Sequence, residues 1–135
     1  MPKNIIADSS ALVALVRHDD QHHPWMAAQL DMLPNRWHTC ESVLSETFFL
    51  AGDKGAPVVK QMLKLGAVSI TFNLANELDP VLALMDKYSD VPMSLADACL
   101  VRMSEILPDP TVLTTDRDFK IYRRHSRQVI PCLSP

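Results

Sequence analysis

Glycine is almost missing from this chain: Gly52, Gly55 and Gly66 are the only three. A loop that cradles phosphate needs several glycines at fixed offsets, so dinucleotide-binding and P-loop enzymes are excluded. Ser9, Ser10 and Ser94 lack the flanking glycines of a nucleophile elbow, which removes serine hydrolases built that way. Cysteine is sparse as well. Cys40, Cys99 and Cys132 are odd in number, widely spaced and without a Cys-x-x-Cys pair, so no disulfide framework or zinc site follows. They read as small buried hydrophobes in a reducing compartment. No apolar run approaches the ~20 residues that cross a bilayer. The opening Met1-Pro2-Lys3-Asn4 leads into a strand-like run with no secretory pattern. The expectation is a cytoplasmic protein without membrane contact.

The chain has 135 residues, of which 47% are apolar. That is enough for one domain over 1–135 with its own core. The net charge is −3, which alone argues weakly against a nucleic-acid partner. Its distribution is uneven. Residues 1–116 carry 8 basic and 15 acidic side chains, whereas residues 117–135 carry 5 basic and 1 acidic. Arg117, Lys120, Arg123, Arg124 and Arg127 form that local basic segment. A charge run is most often a solvated face. The alternative is a strip that contacts phosphates.

Strand-like runs alternate with helical ones. A strand at 4–7 precedes a helix at 9–17, for which Ser9 or Ser10 is available as N-cap. A helical stretch at 22–33 and a short strand near 36–40 follow. A helix at 41–52 is expected to break at Gly52 and Gly55, and Pro57 to open another that Gly66 stops. Then come a strand at 67–72, a helix at 74–88, a Ser94-capped helix at 95–107 and a strand at 111–115. A helix from about 117 and a strand at 128–133 complete the chain. This alternation predicts an α/β domain, a three-layer α/β/α sandwich around a mostly parallel sheet.

Four acids fall beside strand or helix ends. Asp8 ends the run Ile5-Ile6-Ala7, and Asp116 ends Thr111-Val112-Leu113-Thr114-Thr115. With Ser9 and Ser10 free to cap the helix, Asp8 is surplus to capping. Glu46 lies at the edge of the apolar arc of its helix, where a boundary carboxylate reaching water is the ordinary reading. Asp97 completes a capping box with Ser94. Asp116 and Asp118 flank Arg117, and capping requires only one of them. Parallel strands would bring these groups to one sheet edge. Two charges about 4 Å apart repel by roughly 4 kcal/mol at an effective dielectric near 20, so such a gathering points to a divalent cation.

The four motifs, in order along the whole chain, resemble the PIN domain, a family of small metal-dependent ribonucleases. Ile5-Ile6-Ala7-Asp8-Ser9-Ser10 is similar to its opening strand and acid. Ser42-Val43-Leu44-Ser45-Glu46, Ser94-Leu95-Ala96-Asp97-Ala98 and Thr114-Thr115-Asp116-Arg117-Asp118-Phe119 resemble the remaining three. The resemblance implies Asp8, Glu46, Asp97 and Asp116 as catalytic residues that hold Mg²⁺ or Mn²⁺. Asp118, Ser10 and Thr114 would be auxiliary, and Arg117 and Lys120 would contact RNA. It further implies a homodimer. Bacterial members of this size are often toxins of VapBC-type pairs, with an antitoxin protein as partner. Three alternatives stand beside this reading: a non-catalytic RNA-binding domain of the family, a nuclease for branched DNA, and a receiver-like signalling module.

Overall fold

The structure, a computed structural model, describes residues 3–135. Met1 and Pro2, part of the opening read above as lacking a secretory pattern, lie outside the described residues. Five parallel strands form the central sheet in the order β3-β2-β1-β4-β7. They are β1 (Asn4–Ala7), β2 (Trp37–Thr39), β3 (Val68–Ile70), β4 (Pro110–Leu113) and β7 (Cys132–Leu133). Ile5, Ile6 and Ala7 of the central strand are wholly buried, as are Val112 and Leu113 beside them. A parallel sheet covered on both faces demands this uninterrupted apolar run.

The helices are α1 (Ser9–Val16), α2 (His23–Gln29), α3 (Glu41–Leu65), α4 (Leu78–Lys87) and α5 (Leu95–Ile106). α1 packs on α3, and α4 on α5. The first three strands step to one side of β1, and the chain then crosses back to lay β4 and β7 on the other. Right-handed crossovers therefore put the helices before and after that reversal on opposite faces. The expected three-layer architecture is present. The reversal also makes a switch point at the carboxyl ends of β1 and β4, the place where open α/β sheets carry their sites.

Several local expectations are corrected. Gly52 interrupts α3 as expected, with non-helical φ 74° and ψ 178°, and helical geometry resumes directly after it. Pro57 thus lies inside the second segment and does not open it. Gly55 does not break the helix. It is buried, and a Cβ there would stand 2.9 Å from Cγ2 of Val16, so its role is the close approach of α1 and α3. The expected helix after 117 is a single 3-10 turn, Arg117–Lys120. The strand at 128–133 is two pieces. β6 (Gln128–Val129) pairs antiparallel with β5 (Arg123–Arg124), and only β7 joins the sheet. Pro131 between them lacks the N–H that a continuous strand would use.

Candidate active site

Asp8 is the N-cap of α1, in extended backbone, and its Oδ1 accepts the Ser9 N–H at 2.7 Å. This corrects the assignment of the cap to Ser9 or Ser10: the aspartate caps, and the serines are free for other bonds. Oδ2 of Asp8 accepts the Thr114 hydroxyl at 2.7 Å and the Ser10 hydroxyl at 3.1 Å. Backbone donors aim both hydroxyls. The Asp116 N–H donates to Thr114 Oγ1 at 2.9 Å, and the Thr115 N–H to Ser10 Oγ at 3.0 Å. Each hydroxyl oxygen accepts from the chain after β4, so its single proton is directed to Asp8. Three donors converge on a carboxylate that is 3% exposed.

The other acids surround this core. Ser9, whose hydroxyl donates to Glu46 Oε2 at 2.9 Å, ties the exposed Glu46 of α3 to the end of β1. Asp97 forms the expected capping box. Its N–H donates to Ser94 Oγ at 3.0 Å, and its Oδ2 accepts the Ser94 N–H at 3.2 Å. Asp116 Oδ1 accepts the Asp118 N–H at 2.9 Å, which starts the 3-10 turn. Asp118 therefore braces Asp116 through its backbone.

The four carboxylates sense one another. Burial is the main reason the Asp8 carboxyl is pushed up to about 6, with the charge of Asp97 adding and the Thr114 hydrogen bond opposing. Burial also raises Asp97; the Ser94 and Tyr122 hydrogen bonds oppose it, and the charges of Asp116 and Glu46 add to it. No lysine or arginine among the described residues is paired with them. The ion pairs among the described residues are Arg17–Asp19, Arg102–Glu77 and Arg102–Glu105, all outside the group.

Among the described residues, no three Asp, Glu, His or Cys side chains stand close enough together to hold a metal ion as they are. The donor set nevertheless fits a hard divalent cation. It is all oxygen, it includes a buried carboxylate without a counter-charge, and Glu46 and Asp116 are each held through one oxygen, Oε2 and Oδ1, which leaves the other for a ligand. A cleft of about 570 Å³ between the end of α1 and the Gly52 kink is lined by Arg17, His18 and Asp53 and by none of these acids. It is separate from the acidic group.

Arg117 and Lys120 are exposed on the 3-10 turn that follows Asp116. The rest of the basic segment divides. Arg123 donates to the Lys120, Ile121 and Tyr122 carbonyls, and Arg124 to the Ser104 carbonyl. Those bonds tie Nη1 of Arg123 and Nη2 of Arg124 to the backbone, and both side chains are half-buried. Of the cysteines, Cys40 and Cys99 are buried and Cys132 is half-buried, all as free thiols.

Two residues escaped sequence reasoning. Ser9 reads in the sequence as a cap, although an Asp-Ser-Ser sequence leaves one hydroxyl for a second acid. Tyr122 offered no signal. It is fully buried, 25 residues beyond Asp97, and its hydroxyl lies 3.2 Å from Asp97 Oδ2. Burial, and then the charge of Asp97, raise its phenol above the ordinary value, so it stays a protonated donor.

A doubly wound parallel domain with uncompensated carboxylates at its switch point is the class that fold and site define together. The profile of the PIN domain family matches residues 5–124, and the chain belongs to that family. Among solved structures it is similar to the crystal structure of Mycobacterium tuberculosis VapC20, a sarcin-ricin loop cleaving toxin. The two are 20% identical, the match covers 87% of this chain and 94% of that chain, and the TM-score is 0.78. A comparison with curated proteins finds no match.

Proposed function

We propose that this single-domain protein is an Mg²⁺- or Mn²⁺-dependent endoribonuclease and the toxin of a toxin–antitoxin pair. The observation that carries the reading is Asp8. It is a buried carboxylate at the switch point, held by three donors, sensing Asp97 and facing no cationic side chain. Asp8, Glu46, Asp97 and Asp116 would hold the cation. When bound, that ion would lower the pKa of water and neutralise charge developing on the scissile phosphate. The chain's own residues do the rest. Thr114 and Ser10 orient Asp8, Ser9 places Glu46, and Glu46 or Asp97 orients the attacking water and accepts its proton. Arg117 and Lys120 hold flanking phosphates against an otherwise acidic surface. The toxin assignment is supported by the likeness to VapC20, itself a cleaving toxin.

An antitoxin and a second copy of this chain are the partners this reading includes, in the cytoplasm. No helix among the described residues is long and apolar enough to cross a membrane. A homodimer would use apolar side chains that the monomer core leaves exposed. Trp37 is buried in the monomer core and Trp25 packs against it. Phe49, Leu65 and Met32 are among the large apolar side chains left open, Phe49 being 87% exposed. The test is cleavage of end-labelled single-stranded RNA with Mn²⁺ or with chelator. Internal cuts by the wild type, lost with Asp116→Asn and with chelator, are expected. RNA bound but uncut with Mn²⁺ would favour a binding domain instead.

A further inference from the structure

Two donors reach Asp97, and both land on the same oxygen. The Ser94 N–H and the Tyr122 hydroxyl each meet Oδ2, at 3.2 Å. They come from different elements: Ser94 is the cap of α5, whereas Tyr122 follows the 3-10 turn that begins after Asp116. One bond to a carboxylate oxygen leaves the group able to turn. Two from separate directions decide which oxygen is committed and which stays available. The Tyr122 ring is itself immobilised. It is wholly buried and stands edge-to-face against Tyr88 and Phe119, with centroids 5.2 and 5.3 Å away. The hydroxyl has one proton and two acceptors, Asp97 Oδ2 and the Pro92 carbonyl at 3.1 Å, and shares it between them where the loop before α5 meets the acidic group.

We infer that Tyr122 is a positioning residue for Asp97: its hydroxyl engages Oδ2 and keeps Oδ1 for the cation. This rests on the proposed metal-dependent reading. The packing role of the ring needs no hydroxyl, because phenylalanine would fill the same space between Tyr88 and Phe119. Partners of this outer kind typically change metal affinity by about 10–100-fold when removed.

The test is Tyr122→Phe in the full chain, with two readouts. In the metal-free protein, three-bond NMR couplings report whether Asp97 keeps one χ1 rotamer. In the second arm, Mn²⁺ affinity is measured by calorimetry. The expected result is averaged couplings and Mn²⁺ binding weakened by about tenfold. An Asp97→Asn background should abolish the difference that Tyr122→Phe makes. Mn²⁺ affinity unchanged within about twofold overturns the inference, because a tyrosine that only anchors the Pro92 loop would leave it unmoved. Should the wild type bind no Mn²⁺, the functional reading fails and the couplings alone decide: one retained rotamer in Tyr122→Phe overturns the positioning role.

Discussion

Asp8→Asn exchanges the buried charge at the centre of the site for a neutral group of the same shape. The Asp8 carboxyl rises from 3.8 to about 6 on folding, mainly through burial. The folded state therefore holds that proton more tightly than the unfolded chain does. Protonation favours the fold below about pH 4, and this contribution is lost as pH climbs towards 6 and stays lost above it. A shift of this size corresponds to roughly 3 kcal/mol at neutral pH. Asparagine avoids that loss, but its one acceptor oxygen serves either Ser9 or the Thr114 and Ser10 hydroxyls, and losing the bonds on the other side costs about 2 kcal/mol. The metal-free variant should thus be about 1 kcal/mol more stable than the wild type at neutral pH, a rise in Tm on the order of 3–5 °C. Near pH 4 the gain should turn into a loss. Thermal melts by circular dichroism, in chelator and at both pH values, measure it. An Asn variant less stable than wild type at neutral pH, or an offset independent of pH, would refute the burial argument.

Gly55→Ala should destabilise by about 1–3 kcal/mol in chemical denaturation, since its Cβ would stand 2.9 Å from Val16 Cγ2. A neutral result would mean that α1 and α3 separate freely. Arg117→Ala/Lys120→Ala should weaken RNA binding and flatten its salt dependence by about one to two counterions, with Mn²⁺ affinity unchanged. An unaltered salt slope, measured by fluorescence anisotropy, would move the RNA path to another surface.

How far the sequence carries depends on the range of the interactions. The layered α/β architecture and the placing of Asp8, Asp97 and Asp116 at strand or helix ends are legible because strand ends and caps are local features, whereas the order of the strands is not. The capping box of Ser94 and Asp97 could be read off four residues. Gly52 and Gly55 look alike in sequence, and only the approach of Val16 separates the kink from the packing glycine. The last 19 residues were misread because their turn uses His125 and Ser126 at positive φ, with no glycine to announce it. The bonds of Arg123 and Arg124 go to carbonyls at the end of the 3-10 turn and of α5. The Ser9–Glu46 and Tyr122–Asp97 bonds span 37 and 25 residues. No local pattern encodes contacts of that kind.

The central claim is that these carboxylates hold a divalent cation, and metal-dependent thermal stability tests it most directly. Mass action stabilises a folded state that binds a ligand by about 2.7 kcal/mol at a hundredfold excess over Kd. The wild type should gain stability with Mn²⁺ in steps that saturate, and an Asp8→Asn/Asp97→Asn double variant should gain none. Equal Mn²⁺-induced shifts in the two proteins would contradict the account.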